Sequence, residues 1–161
     1  TQHLSTTLNE AMSEEIERKW IVPDPPEMEA GDDIYQSYVV ATESKEGRIR
    51  KRQKPNGATD RTLGIKKGKG ENRGEYDTSI DLHQFFDLEE ASEGSVEKTR
   101  YEIESGDHVI ELDVYRGELE GLAVAEVEDP EGFEPPEWFG REVTEDERYK
   151  NKNLATNGLP Q

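Results

Sequence analysis

The run Glu15-Ile16-Glu17-Arg18-Lys19-Trp20 alternates charged and bulkier residues. On an extended strand, Glu15, Glu17 and Lys19 project from one face and Ile16, Arg18 and Trp20 from the other. Two carboxylates and an ammonium are expensive to bury without partners. They suit a wet cavity in which the acids hold a hard cation and the base meets an anion. The same period-two reading finds further ionic faces along the chain. Arg48, Arg50 and Arg52 share one, and Lys66 sits with Gly64 on another. Arg73, Glu75 and Asp77 form a third, and Lys98 with Arg100 a fourth. Glu111 pairs with Asp113, and Glu126 with Glu128. The opposite faces are mostly apolar, as in Ile110, Leu112 and Val114, or Ala125 and Val127.

Charge sign is thus sorted by strand, and two architectures accommodate it. An open antiparallel sheet can turn an ionic face to solvent. A closed barrel can instead enclose that face as a charged lumen. The lumen would grip a polyanion with its arginine forks and a divalent metal with its carboxylates. A solvated face normally mixes in Thr, Ser and Gln, whereas these faces are largely Lys, Arg, Glu and Asp, which favours the lumen.

The elements that must position these residues follow from the same periodicity. Strands are expected at 14–22, 34–41, 48–52, 61–67, 73–80, 95–104, 109–115 and 122–128. Turn residues punctuate them at 55–57, 68–70 and 105–107. Leu82, Phe85, Phe86 and Leu88 recur at helical spacing, which predicts a short amphipathic helix over 81–91. Thr144-Glu145-Asp146-Glu147 has capping-box spacing, so a second short helix is expected to open there. The expected fold is mainly β: a closed antiparallel eight-stranded barrel with a few short helices outside. Residues 1–13 read as an extension, with Met12 a candidate start. Residues 14–155 read as one domain, and 156–161 as a loose tail.

Composition narrows the function. The 161 residues hold no cysteine, which excludes disulfides, thiolate metal sites and cysteine nucleophiles. The formal net charge is −18, which argues against a nucleic-acid surface. No apolar run has the length of a membrane span, and no signal peptide is visible, so the expectation is a cytoplasmic protein without a membrane partner. The acid excess fits a solvated exterior, or a salt-adapted source. His3, His83 and His108 fall outside the alternating ionic positions and read as surface residues. Trp20, Trp138 and Phe139 read as packing on the outside of the barrel.

The opening Glu15-x-Glu17-x-Lys19 resembles the signature of the CYTH domain, or triphosphate tunnel metalloenzymes. Further blocks continue the resemblance in order. They are Arg48-x-Arg50, Ile65-Lys66, Arg73-x-Glu75-Tyr76-Asp77, 97–101 (Glu-Lys-Thr-Arg-Tyr), 111–114 (Glu-Leu-Asp-Val), 125–128 (Ala-Glu-Val-Glu) and 138–151. The Glu-Arg-Lys form of the opening is most similar to short bacterial inorganic tripolyphosphatases. The resemblance implies an eight-stranded β-tunnel that hydrolyses triphosphates with Mg²⁺ or Mn²⁺. It implies metal ligands at Glu15, Glu17, Glu126 and Glu128, with Asp113 and Glu75 as additions. It implies phosphate-binding cations at Lys19, Arg48, Arg50, Lys66, Arg73, Lys98 and Arg100, and a proton acceptor at Tyr38. A homodimer is a further expectation. This sequence departs from the pattern at Ser37, where Gly is usual, at Gly64, where Thr or Leu is usual, and at Asp77, where Glu is usual.

The reaction so implied is metal-assisted attack of water on a terminal phosphorus, which releases orthophosphate and pyrophosphate. Tyr38 has a second reading as a hydrogen-bonding wall residue, because a phenol is a poor base near neutral pH. Lys98 reads as a charge donor or proton-transfer group. Rival functions on the same tunnel are an adenylate cyclase, a thiamine triphosphatase or a nucleoside triphosphatase. A polyphosphate-binding module without catalysis and an acidic structural domain are rivals of other classes.

Overall fold

The computed structural model describes residues 16–68 and 74–161. Glu15, Arg73 and the expected extension at 1–13 lie outside these. The elements are β1 (Glu17–Ile21), β2 (Asp32–Ala41), β3 (Lys45–Gln53), β4 (Thr59–Lys67), β5 (Gly74–Ser79), α1 (Leu82–Glu90), β6 (Ser95–Ser105), β7 (His108–Arg116), β8 (Ala123–Glu128) and α2 (Asn151–Asn157), with 3₁₀ turns at Gly117–Leu119 and Glu147–Tyr149. All eight strands join one antiparallel sheet in the order β1-β8-β7-β6-β2-β3-β4-β5.

Directly paired residues share a face, so the register shows which side chains meet. Glu17 lies opposite Glu128, and Lys19 opposite Glu126, which in turn lies opposite Glu111. Gln36 lies opposite Arg50, Tyr38 opposite Arg48, and Arg48 opposite Gly64, which faces Asp77. These positions form the inner, concave face. Outward residues Trp20, Leu112, Ala125 and Val127 pack with Val22, Ile110 and Phe133, and the segment carrying Trp138 and Phe139 folds over them. The inner face is apolar at one end. There Val96, Tyr115 and Val124 meet Leu119, Leu122, Val143, Tyr149 and Leu154 of α2.

The ladders do not close into the expected barrel. Among the described residues β1 and β5 are the two edges, with no pairing between them. The outer edge of β1 is already taken. Ile21 N–H donates to Arg141 O at 2.9 Å, Gly140 N–H to Ile21 O at 2.7 Å, and Val143 N–H to Lys19 O at 2.8 Å. Gly140 permits this approach, since a Cβ there would meet Ile21 O at 2.9 Å.

The first expected helix is present. Asp81 caps α1, accepting from Gln84 N–H while the Gln84 side chain accepts from Asp81 N–H. Phe85 is its buried anchor. The second does not start at Thr144. The Thr144 hydroxyl is used elsewhere: it accepts from Lys19 N–H at 3.0 Å and donates to Glu142 at 2.6 Å. Asp146 caps a 3₁₀ turn instead, and α2 follows it. No helix among the described residues is long and apolar enough to cross a membrane.

Candidate active site

The concave face encloses a cavity of about 480 Å³. Its walls differ in sign because most strands carry a majority of one sign of charge inward, with Lys19 on β1 and Glu46 on β3 as exceptions. On the β1, β8 and β7 side stand Glu17, Glu128, Glu126 and Glu111. On the β3, β4 and β6 side stand Arg48, Arg50, Lys66 and Arg100. Lys45, Lys67, Lys150 and Lys152 add cations from strand ends and the approach to α2.

The acidic wall sets acid against acid. Like charges directly opposite on a sheet are unfavourable, yet carboxylate oxygens of Glu17, Glu126 and Glu128 all lie within 4.8 Å of one another. Burial, the Glu17 hydrogen bond and the Glu17 charge push the Glu126 carboxyl up to about 7. Lys19 Nζ, at 3.8 Å from Glu126, relieves this only in part. Burial also raises the Glu111 carboxyl. An all-oxygen set of crowded carboxylates fits a hard divalent cation, which bridges a few carboxylates to a phosphate chain. Glu17, Glu126 and Glu128 are the residues that would hold it.

The cationic wall is crowded in the opposite sense. Burial first, then Arg48 and Arg100, lower the Arg50 guanidinium to about 10. Below the cavity the charges are spent on each other. Asp113 Oδ1 accepts from Arg100 Nε at 2.7 Å and its Oδ2 from Nη2 at 2.9 Å, and Lys98 Nζ stands 2.9 Å from that same Oδ2. Burial would raise the Asp113 carboxyl, but Lys98 and Arg100 hold it well below the usual range. Burial lowers the Lys98 ammonium to about 8. Lys98 also reaches Asn151 Oδ1 at 3.4 Å, where Tyr115 O–H donates at 2.6 Å.

Among curated proteins, the inorganic triphosphatase of Nitrosomonas europaea is 43% identical over 150 residues, covering 88% of this chain and 96% of the relative. The inorganic triphosphatase of Acetivibrio thermocellus is 35% identical over 155 residues, covering 91% of this chain and 96% of the relative. The chain belongs to the inorganic triphosphatase family. The CYTH resemblance of its motifs agrees with this membership. A crystal structure of the inorganic triphosphatase NE1496 matches with a TM-score of 0.68 at 42% identity, over 91% of this chain and 97% of that one. No protein-family model matches the chain.

In this family member, the cavity gathers Glu17, Lys19, Tyr38, Arg48, Arg50, Lys66, Glu75, Arg100, Glu126 and Glu128 from the residues singled out in the sequence. Lys98 and Asp113 are instead buried beneath it, at 0% and 7% exposure. Asp77 lies off the cavity. Its Oδ1 would be 2.6 Å from a Cβ on Gly64, so the two departures from the family pattern fit one another. Glu15 and Arg73 fall outside the described residues. The sequence reading left out Glu111, although alternation already put it on the Asp113 face. It also left out Lys45, Lys67, Lys150, Asn151 and Lys152. Lys45 and Lys67 sit at strand ends and Lys150 in a connecting segment, where no period marks which way a side chain turns, while Asn151 and Lys152 open α2, a helix expected to start at Thr144 instead.

Proposed function

We propose that this chain hydrolyses inorganic tripolyphosphate to pyrophosphate and orthophosphate. The observation that carries it is the opposition of a three-carboxylate cluster to an arginine and lysine wall across one cavity, in a chain of this family. Phosphoryl transfer needs positioning and charge stabilisation more than covalent help from the protein. Arg48, Arg50, Lys66 and Arg100 grip the phosphate chain, and Lys19 reaches it from the acidic side. Glu17, Glu126 and Glu128 would hold Mg²⁺ or Mn²⁺. When bound, such a metal neutralises charge on the reacting oxygens. Water adds to the terminal phosphorus, and the bond to the bridging oxygen breaks. The Asp113 carboxylate below fixes Arg100 through Nε and Nη2, and its Nη1 stands 3.6 Å from Glu111, a residue of the cavity wall. The curled sheet serves as the tunnel wall, since residues of both edge strands, Glu17 of β1 and Glu75 of β5, line the same cavity.

Among the described lining residues the one aromatic ring is Tyr38, at 2% exposure, so little is on offer to stack a base. That favours inorganic over nucleoside substrates. A phosphate-release assay across tripolyphosphate, ATP and thiamine triphosphate, with Mg²⁺, Mn²⁺ or EDTA, tests the reading. Metal-dependent release fastest from tripolyphosphate is expected. No release from tripolyphosphate with either metal overturns it.

A further inference from the structure

Gln36 is a neutral amide on the inner face of β2, fully buried among charges, and the reaction described above gives it no task. Both ends of the amide are engaged. Its Oε1 accepts from Arg50 Nε at 3.0 Å, and its Nε2 donates to Tyr38 Oη at 2.8 Å. The orientation is forced, because a guanidinium has only donors and must face the amide oxygen. Across the ladder Tyr38 faces Arg48, whose guanidinium can donate but not accept. A phenol oxygen has two lone pairs and one hydrogen. With the Gln36 amide already donating to the oxygen and only a guanidinium opposite, the group left to offer is its O–H, and Tyr38 lines the cavity.

We propose that Gln36 is a positioning residue that holds Tyr38 as a hydrogen-bond donor to a phosphate oxygen of the substrate, so that Tyr38 takes no proton in the reaction. The inference rests on the triphosphatase reading for the identity of the acceptor. It reverses the polarity that the family resemblance implies at this position. Burial, aided by Glu46, pushes the phenol up to about 12, although Arg48 and Gln36 pull the other way. The hydroxyl therefore keeps its hydrogen at neutral pH. A donor so fixed strengthens as negative charge gathers on the phosphate oxygens, without reorganising when the bond breaks.

Three measurements test this. First, the intact protein is labelled at tyrosine ¹³Cζ, and the Tyr38 signal is identified by its loss in Tyr38→Phe. It should keep the chemical shift of a phenol from about pH 6 to 10. A phenolate signal below about pH 9 overturns the proposal. Second, calorimetry with tripolyphosphate in EDTA should show roughly tenfold weaker binding by Tyr38→Phe, as for a lost hydrogen bond to a charged group. Unchanged affinity overturns it.

Third, Gln36→Glu keeps an oxygen for Arg50 but turns an acceptor toward the phenol, drawing its O–H away from the cavity. It should lower kcat/KM for tripolyphosphate, and Tyr38→Phe should add no further loss on that background. Wild-type kcat/KM in Gln36→Glu, or fully additive losses, overturns the positioning role. The first measurement needs no substrate. A phenol signal with no tripolyphosphate turnover would overturn the function reading while supporting the hydrogen-bond polarity.

Discussion

Asp113 and Glu126 are carboxylates on neighbouring strands, both turned to the inner face, and they live in opposite circumstances. Asp113 is held by Lys98 and by two N–H groups of Arg100, and its carboxyl lies far below the usual range. Glu126 is pressed against Glu17, and its carboxyl is lifted to about 7. The difference teaches that one sheet face holds two kinds of charge. In the lower tier the protein neutralises itself. In the upper tier it leaves like charges together, an arrangement whose chemistry fits an external cation.

The largest expected effect comes from disturbing the satisfied tier. Asp113→Asn strips the countercharge from two buried cations and should destabilise the fold by about 3–5 kcal/mol, as breaking a buried ion pair does. Chemical denaturation measures it. A loss under about 1 kcal/mol would erase the distinction between the tiers.

Glu126→Gln should do the reverse without metal, since it removes a repulsive charge. Its melting temperature in EDTA should equal or exceed that of the wild type. Added Mg²⁺ should stabilise the wild type by mass action, about 2.7 kcal/mol at a hundred times Kd, and the variant much less. The loss of metal affinity should exceed the roughly 10- to 100-fold that outer-shell partners carry. Equal Mg²⁺ shifts in both proteins would remove Glu126 from the metal site.

Glu142 supplies the smallest effect and an exposed control. Arg18 donates to it at 2.9 and 2.8 Å, and these bonds, with that of Thr144, hold its carboxyl down to about 2. Since the folded-state value is depressed, its stabilisation is present above the ordinary glutamate range and fades as pH falls toward 2. Glu142→Gln should lose about 0.5 kcal/mol at pH 7, typical of an exposed pair, and nothing near pH 2. A loss that persists at low pH would point to packing rather than charge.

Much of this was legible in the sequence. Most strands announce themselves by period two, and ionic against apolar residues tell inner from outer face, but β2 turns neutral Gln36 and Tyr38 inward and does not follow that rule. Alternation gives side but not height. Lys98 and Arg100 share a face with Glu111 and Asp113, yet the register across β6 and β7 decides that Asp113 meets Arg100 and sits within reach of Lys98. That register is a long-range property, so the sequence could not separate the buried set from the cavity lining. The same holds for the edge of β1. Its partner is a segment more than a hundred residues away that carries no strand pattern of its own. The helix expected at Thr144 failed for a related reason, because the spacing names a hydroxyl able to cap but not the partners that claim it.

The occupied edge of β1 has a mechanical consequence. A closed barrel has its diameter fixed by strand number and shear. A curled sheet with two edges has no such constraint, and its width follows from twist and coil. Among the described residues no ladder therefore fixes the separation of the acidic wall on β1 and β8 from the cationic wall on β3 and β4, and the strap from 140 to 143 is bonded to the acidic one.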